Sequence, residues 1–185
     1  MRCFIAIELE KSLRPSVENL QKLLGVHFHG LSFVRPENLH FTLKFLGELN
    51  EDEINNVKKS IGQCISGMNS FKINISGLGF FGRKDSIRVL WLGITDGRER
   101  FAEIMESINS QVNFGERETM PHLTIARVKK RQDDGLVKFI EKNENVKIGE
   151  MRVDKIKLKS SILAINGPIY SDLFSFKLGE VDQNE

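Results

Sequence analysis

The stretch Leu39-His40-Phe41-Thr42-Leu43-Lys44-Phe45-Leu46 decides the fold, because polar and apolar side chains alternate along it. A period of two predicts a half-buried β-strand that turns its apolar side chains to the core. His40, Thr42 and Lys44 are then expected on the opposite, accessible face. The strand therefore presents an imidazole and a hydroxyl side by side, with Lys44 either drawn to an anion or simply solvated at the strand's end.

The pattern returns as His122-Leu123-Thr124-Ile125, so two of the four histidines of the chain stand in the same setting. One His-x-Thr on an exposed strand face usually means nothing. The second copy changes this, because a turn with a proline precedes each copy, a helix follows it, and the copies lie about 80 residues apart. We therefore predict an internal duplication of a lobe of about 80 to 90 residues.

Hydrophobic periodicity predicts four helices, at 11–24, 51–68, 100–112 and 134–143. Period-two or short apolar runs predict strands at 3–7, 31–34, 39–46, 71–81, 87–94, 122–128, within 146–165, and at 170–178. We expect a turn at 166–168 and a frayed tail at 180–185. This order of elements predicts an α+β fold with mostly antiparallel pairing.

The composition is that of a globular protein, with 185 residues, 40% hydrophobic and 28% charged residues, and a net charge of +2. Cys3 and Cys64 have no metal-binding spacing, which favours a reducing, cytoplasmic location. The N-terminus does not read as a signal peptide, and no apolar run reaches the roughly 20 residues that cross a bilayer. We expect no membrane partner and a monomer.

The two motifs suit acid–base chemistry on a phosphorus atom. One imidazole can act as a general acid and the other as a general base, while the two threonine hydroxyls donate to non-bridging oxygens. The sequence contains no glycine-rich phosphate loop and no evident acidic cluster that could hold magnesium. We therefore predict a metal-independent site with no cofactor.

Two segments carry a family resemblance: Arg35-Pro36-Glu37-Asn38-Leu39-His40-Phe41-Thr42-Leu43-Lys44-Phe45-Leu46-Gly47 and Pro121-His122-Leu123-Thr124-Ile125-Ala126-Arg127. They resemble the signature segments of the two-histidine (2H) phosphoesterases, and among these the RNA 2′,3′-cyclic phosphodiesterases, historically called 2′–5′ RNA ligases. The resemblance extends in order over nearly the whole chain, to the opening strand, to Leu90-Trp91-Leu92 and to Gly167-Pro168-Ile169-Tyr170.

This resemblance implies a bilobal fold of two antiparallel sheets with flanking helices, related by a pseudo-two-fold axis, with a cleft between the lobes. We expect residues 1–185 to form one domain of two interleaved lobes, with one motif in each. The implied reaction is hydrolysis of the 2′,3′-cyclic phosphate of an RNA end, or of a small cyclic nucleotide, to a 2′-phosphate. His40 matches the family's proton donor and His122 its proton acceptor, although the motifs themselves do not distinguish the two roles.

The resemblance also implies roles for three further residues, and one of these roles conflicts with the alternation of the strand. Thr42 and Thr124 match the hydroxyls that contact the phosphate, and Arg127 matches an arginine expected near it. Strict alternation, however, puts Arg127 on the face opposite His122 and Thr124, unless a bulge or the strand end redirects it.

Two alternative functions stay open. The same site could run in reverse and join a 5′-hydroxyl to the cyclic phosphate, making a 2′–5′ bond, or the cleft could bind RNA ends without turnover. Two basic clusters could track an RNA backbone or be merely solvated: Arg83, Lys84 and Arg88, and Lys129, Lys130 and Arg131. His27 and His29 have no apparent third metal ligand, so a surface role is expected. Phe80, Phe81 and Trp91 could stack bases, but core positions are expected for most of them.

Overall fold

The computed structural model describes residues 1–132, 134–165 and 167–180. The described residues form four α-helices, α1 Arg14–His27, α2 Glu51–Cys64, α3 Arg98–Gln111 and α4 Asp134–Lys142. They also form ten strands, β1 Arg2–Glu8, β2 Leu31–Phe33, β3 His40–Glu48, β4 Phe71–Arg83, β5 Ser86–Ile94, β6 Glu116–Arg117, β7 Leu123–Val128, β8 Lys147–Val153, β9 Lys155–Ala164 and β10 Gly167–Lys177. The predicted turn residue Asn166 and most of the predicted tail lie outside the described residues.

The four predicted helices are present, with ends that differ by a few residues. α1 begins after a 3-10 turn at Lys11–Leu13 and continues through Gly25 to His27, because Gly25 does not adopt the positive φ that would end the helix. α2 begins at a capping box, in which the Asn50 side chain accepts from the Glu53 amide and the Glu53 side chain accepts from the Asn50 amide. His27, which lies beyond the predicted end of the first helix at residue 24, is the last residue of α1.

Strand pairing joins the described strands into one antiparallel sheet, in the order β10-β9-β1-β3-β7-β5-β4-β8. Two sheets were predicted, and in the structure they are the two halves of this sheet, which meet where β3 pairs with β7 at Phe41 and Leu123. The predicted α+β class and antiparallel pairing are confirmed. The C-terminal hairpin β9–β10 pairs with β1, so one half of the sheet combines both ends of the chain.

The two halves also exchange short strands. β2 precedes the first motif strand in sequence but pairs with the second, through Leu31 and Val128. β6 precedes the second motif strand but pairs with the first, through Lys44 and Arg117. This reciprocal exchange is what a pseudo-two-fold axis between β3 and β7 requires.

The core lies between the helices and one face of the sheet. Phe41 and Leu123, the residues that join the two halves, are fully buried, and the Phe41 ring lies 5.3 Å from that of Phe101 on α3. Burying each such side chain stabilises the fold by about 1.5–3 kcal/mol. α1 is fixed to β7 by Gln21, whose amide donates to the Ile125 carbonyl oxygen at 2.9 Å. The faces of β3 and β7 that turn away from this core are left to form a site.

Across the described residues, every helix is too short or too polar to cross a membrane.

Candidate active site

The two motifs cross each other at the centre of the sheet. Phe41 pairs with Leu123 in an antiparallel ladder, and the same register puts His40 opposite Thr124 and Thr42 opposite His122. Residues directly opposite one another on neighbouring strands share a face. All four side chains line one cleft of about 680 Å³. The structure thus brings the predicted histidines and threonines together.

Both imidazoles are oriented by the same local hydrogen bond. Nδ1 of His40 lies 2.6 Å from the carbonyl oxygen of Asn38, and Nδ1 of His122 lies 2.9 Å from the carbonyl oxygen of Met120. A carbonyl oxygen can only accept, so each Nδ1 carries a proton and donates it. Each Nε2 is then the atom that can take or give a proton.

A β-bulge follows each motif and changes the face of the residues beyond it. On β3 the bulge lies at Leu43, because Ala6 pairs with Thr42 but Ile5 pairs with Lys44. On β7 it lies at Ile125, because Trp91 pairs with Thr124 but Leu90 pairs with Ala126. A bulge adds one residue to a strand and so reverses the alternation after it.

The bulge at Ile125 brings Arg127 into the cleft, where strict alternation had excluded it. Its guanidinium is on an exposed side chain that lines the same cleft as His122 and Thr124. At the equivalent position of the first motif, the bulge at Leu43 brings Phe45 into the cleft instead. The alternation of the strand therefore no longer argues against Arg127 as a residue that binds the phosphate.

The same bulge removes Lys44 from the site, and the prediction that it shares the face of His40 and Thr42 is wrong. Lys44 is only 3% exposed, and its ammonium donates to the carbonyl oxygens of Asn109 at 3.1 Å and Val112 at 2.7 Å. These carbonyls lie at the C-terminal end of α3, where the helix leaves acceptors unpaired and favours a cation. Burial lowers the pKa of Lys44. Lys44 therefore stabilises the packing of α3 on β3.

His40 lies half-buried among aromatic rings. Its ring centroid is 5.0 Å from that of Phe4 and 5.4 Å from that of Tyr170, which meets it edge to face. Burial lowers the pKa of His40 from its ordinary value of 6.5 to about 4. The hydrogen bond to Asn38 and the charge of Glu8 oppose this shift. The nearby positive charge of Lys159 adds to it, and so does that of His122. In the free protein His40 is neutral at pH 7.

The hairpin β9–β10 closes the cleft above His40. The Asn38 side-chain amide donates to the Pro168 carbonyl oxygen at 3.0 Å, which ties the turn before the motif to the start of β10. Tyr170 follows on the same strand and packs on both Phe4 and His40. Sequence analysis missed this arrangement, since the contact between Asn38 and Pro168 spans 130 positions of the chain.

His122 has different neighbours. The Phe81 ring meets it edge to face at 4.8 Å between centroids, and Trp91 lies behind Phe81 at 5.6 Å. Core positions were expected for most of Phe80, Phe81 and Trp91, and Phe81 is one that lines the cleft. Glu118 lines the cleft too, and burial raises its pKa while the charge of His122 lowers it. The carboxylate at this end of the cleft is coupled to the imidazole by charge.

A ring of four charged side chains lies beside His40, on strands β9, β1 and β10. Lys157 contacts Glu8 at 2.7 Å and Asp172 at 2.5 Å, and Lys159 forms hydrogen bonds to the same two carboxylates. Burial alone would raise the pKa of Glu8, but the hydrogen bonds from both lysines hold it below its usual range. Glu8 is also the direct cross-strand partner of His40. These four charged side chains therefore determine the electrostatic environment of His40.

The cleft carries excess positive charge. Among the described residues that line it, the cations outnumber the single carboxylate of Glu118, and they are Arg2, Arg35, Arg127 and Lys129. In contrast, Arg83 and Lys84 at the β4–β5 turn form ion pairs with Asp85 and Glu141. Within the described part of the chain, no three His, Cys, Asp or Glu side chains are grouped so as to hold a metal ion.

Two crossed His/Thr pairs with a cation at one end are the arrangement that acid–base chemistry on a phosphoester requires. Two successive matches to the family model for LigT-like phosphoesterases cover residues 7–91 and 92–170. Each match contains one motif, which agrees with the duplication seen in the sheet. The chain belongs to the LigT-like phosphoesterase family.

The chain is similar over almost its full length to proteins of that family. It is 39% identical over 183 residues to the RNA 2′,3′-cyclic phosphodiesterase of Methanothermobacter thermautotrophicus, covering 96% of this chain and 99% of that protein. It is 35% identical over 181 residues to the protein of the same name from Archaeoglobus fulgidus, covering 96% and 100%. A crystal structure of a Thermus thermophilus protein superposes with a TM-score of 0.78 at 27% identity, covering 97% of this chain and 99% of that one.

Proposed function

We propose that this protein hydrolyses the 2′,3′-cyclic phosphate at the end of an RNA strand to a 2′-phosphate, without a metal ion. The observation that carries the proposal is the crossing of the two motifs, which directs two imidazoles and two hydroxyls into one basic cleft. The relatives named RNA 2′,3′-cyclic phosphodiesterase align with nearly the whole chain, and this supports the same substrate class.

In the proposed reaction, Nε2 of His122 takes a proton from a water molecule as the water oxygen bonds to phosphorus. The bond between phosphorus and the 3′ oxygen breaks, and Nε2 of His40 gives its proton to that oxygen. The hydroxyls of Thr42 and Thr124 donate to the non-bridging oxygens, and Arg127 balances the charge that develops on them. Product release then requires His40 to regain a proton and His122 to lose one.

His40 must be protonated before it can act as the acid, yet its pKa is about 4 in the free protein. A bound phosphate anion supplies the compensation, because an opposite charge within hydrogen-bond reach raises the pKa of an imidazole. Substrate binding and protonation of His40 are therefore coupled. Because of this coupling, His40 is protonated mainly while the phosphate is bound.

The proposal is tested by a turnover assay in the presence of EDTA, with 2′,3′-cyclic and 3′,5′-cyclic phosphates offered in parallel. We expect hydrolysis of the 2′,3′-cyclic substrate alone, a 2′-phosphate as the product by phosphorus NMR, and no loss of rate with EDTA. A 3′-phosphate product, or activity that needs added metal, would contradict it. Incubation with a 5′-hydroxyl strand distinguishes hydrolysis from the reverse joining reaction.

We also propose that residues 1–185 act as one domain of two interleaved lobes, and that the protein is a cytoplasmic monomer. The support for a monomer is that a single chain supplies both motifs of the cleft. The support for a reducing compartment is that Cys3 and Cys64 are both buried free thiols. Light scattering at two protein concentrations would contradict the monomer if the mass rose.

A further inference from the structure

A second groove, of about 1020 Å³, lies beyond the end of the β2–β7 ladder, between the end of α1 and the exposed face of α4. Two sequence features that the proposed reaction does not use meet there. His27 and His29 come from the end of α1 and the loop after it, and Lys130 and Arg131 come from the basic run after the second motif. Lys138 and Lys142, one turn apart on α4, complete the basic wall.

The segments that form this groove are held together by specific contacts. The Lys129 amide donates to the Gly30 carbonyl oxygen at 2.8 Å, and the Gln132 side chain donates to the carbonyl oxygens of His29 at 2.7 Å and Lys130 at 2.8 Å. Gly30 has a φ of +79°, and a Cβ there would come within 2.8 Å of the Lys130 side chain. The Lys130 stem therefore packs on Gly30, which directs its ammonium.

The charges of the groove are not balanced within it. None of its described lining residues is acidic. No ion pair formed among the described residues uses Lys130, Arg131, Lys138 or Lys142. Four cations that form no ion pair among the described residues attract an anion with several charges.

The base of the groove is aromatic. The rings of Phe28 and Phe139 meet edge to face at 5.5 Å between centroids, and His27 lies 6.1 Å from Phe139. Lysines and an arginine around aromatic rings are the combination that binds single-stranded nucleic acid, with phosphates on the cations and bases on the rings. An acidic peptide or a free phosphate would use the cations alone. Among the described lining residues, no carboxylate or thiol accompanies the two histidines as a further metal ligand.

The groove is connected to the catalytic cleft by the chain itself. Arg127 and Lys129 line the cleft, and the next two residues, Lys130 and Arg131, line the groove. Three residues of chain, from Arg127 to Lys130, span at most about 11 Å. An RNA strand whose end lies in the cleft would therefore reach the groove within a few nucleotides. Its path would pass around the end of the β2–β7 ladder.

We propose that this groove binds the sugar–phosphate backbone of the RNA, a few nucleotides before its cyclic phosphate end. This inference rests on the proposed function, since it assumes that the cleft holds the RNA end. The groove gives no help to a cyclic mononucleotide, which is too short to reach it. The protein therefore prefers an RNA end to a free cyclic nucleotide, and the preference is set by the groove.

The test compares the double variant Lys138→Gln/Lys142→Gln, and separately Arg131→Gln, with the parent protein on two substrates. These are a 2′,3′-cyclic mononucleotide and an oligonucleotide of about eight nucleotides with a cyclic phosphate end. We expect KM for the oligonucleotide to rise about tenfold in the double variant, and kcat/KM for the mononucleotide to stay within a factor of two. Two lost phosphate contacts should also reduce the slope of log KM against log salt by about 1.4.

The matched control is Lys59→Gln/Lys177→Gln, which removes the same charge from exposed positions on α2 and β10. It should leave both substrates unchanged. Equal losses on both substrates in the groove variant, or a loss as large in the control, would overturn the inference. So would competition by inorganic phosphate or polyglutamate as strong as that by an uncleavable oligonucleotide.

The failure of the proposed function has a different signature. If the parent protein hydrolyses neither substrate, binding of a 3′-hydroxyl oligonucleotide by fluorescence anisotropy still tests the groove. We expect about tenfold weaker binding in the groove variant and parent-like binding in the control. Unchanged binding in the groove variant would overturn the inference in that case as well.

Discussion

The two motif strands share a backbone plan but differ in what surrounds it. In β3 and β7 alike, the histidine donates from Nδ1 to a carbonyl two residues earlier, and a bulge lies three residues after it. The side chains diverge after the bulge. The first strand continues with Lys44 and Phe45, and the second with Ala126 and Arg127.

This difference separates the parts of the site that both halves share from the parts that are particular to each histidine. The shared plan fixes the tautomer of each imidazole and turns it towards the cleft. The unshared neighbours set its charge: His40 lies among Phe4, Tyr170 and the ring of lysines and carboxylates, while His122 lies near Glu118. A symmetric site would leave the acid and the base interchangeable, and these differences remove that symmetry.

The largest expected effect comes from removing either histidine. His40→Ala and His122→Ala should each lower kcat/KM about 10³- to 10⁴-fold, because each removes one proton transfer. The limbs of the pH profile separate the two roles. The limb on the acidic side belongs to the base and should vanish in His122→Ala, whereas the alkaline limb should vanish in His40→Ala.

The double variant provides the check on this assignment. Two residues that act in one transition state give losses that do not multiply, so the double variant should be about as slow as either single one. Exchanged limbs would reverse the donor and acceptor while leaving the two-histidine mechanism intact. Normal turnover in either single variant, with an unchanged circular dichroism spectrum, would remove the mechanism itself.

The second prediction concerns stability, and it distinguishes the two histidines without any substrate. The pKa of His40 is about 4 in the folded protein and near its ordinary 6.5 when unfolded. Between these values the unfolded chain binds more protons, so stability is full above pH 6.5 and is lost as pH falls towards 4. The loss attributable to His40 is about 3 kcal/mol from pH 7 to pH 4, at about 1.4 kcal/mol per pKa unit.

Urea unfolding at pH 7 and pH 4 measures this loss. His40→Gln should lack this contribution, and His122→Gln, in which His40 is still present, should retain it. The same pH dependence in the parent and in His40→Gln would mean that aromatic packing does not exclude water from this imidazole.

The third prediction tests the position five residues after each histidine. Arg127→Gln should lower kcat/KM about 10- to 100-fold, because a hydrogen bond to a charged group contributes about 1.5–3 kcal/mol. Arg127→Lys should restore part of this loss, since it keeps the charge but not the planar fork. Phe45→Leu is the matched variant at the equivalent position, and it should change kcat/KM by no more than a few-fold. Equal effects at both positions would mean that Arg127 contributes only to the shape of the cleft and does not bind the phosphate.

Much of the site could be predicted from the sequence, because its main signal is local. His40 and Thr42 are two positions apart, and the period of a strand places them on one face. The repeat of the motif predicted a second pair, and the antiparallel class followed from the order of elements. These inferences need only a few neighbouring residues each.

The rest depends on contacts that a local pattern does not contain. Leu43 and Ile125 are ordinary strand residues, and nothing in their type marks a bulge. The pairing of β2 with β7 and of β6 with β3, and the contact of Lys159 with Glu8, join distant parts of the chain. The predicted place of Lys44 was wrong for this reason, whereas the bulge suggested for Arg127 is present.

The smallest expected effect concerns Lys44, and it tests the bulge directly. Lys44→Met removes both hydrogen bonds to the carbonyl oxygens of Asn109 and Val112, leaving these acceptors without the ammonium that they share. We expect the free energy of unfolding to fall by about 1.5–2 kcal/mol, with kcat/KM unchanged within a factor of two. Urea unfolding and the turnover assay on one preparation measure both. A loss of turnover without a loss of stability would indicate that Lys44 lies on the cleft face. It would also mean that β3 has no bulge at Leu43. The two strands would then differ in backbone as well as in side chains, and a backbone plan common to both strands would no longer explain why Arg127 lines the cleft.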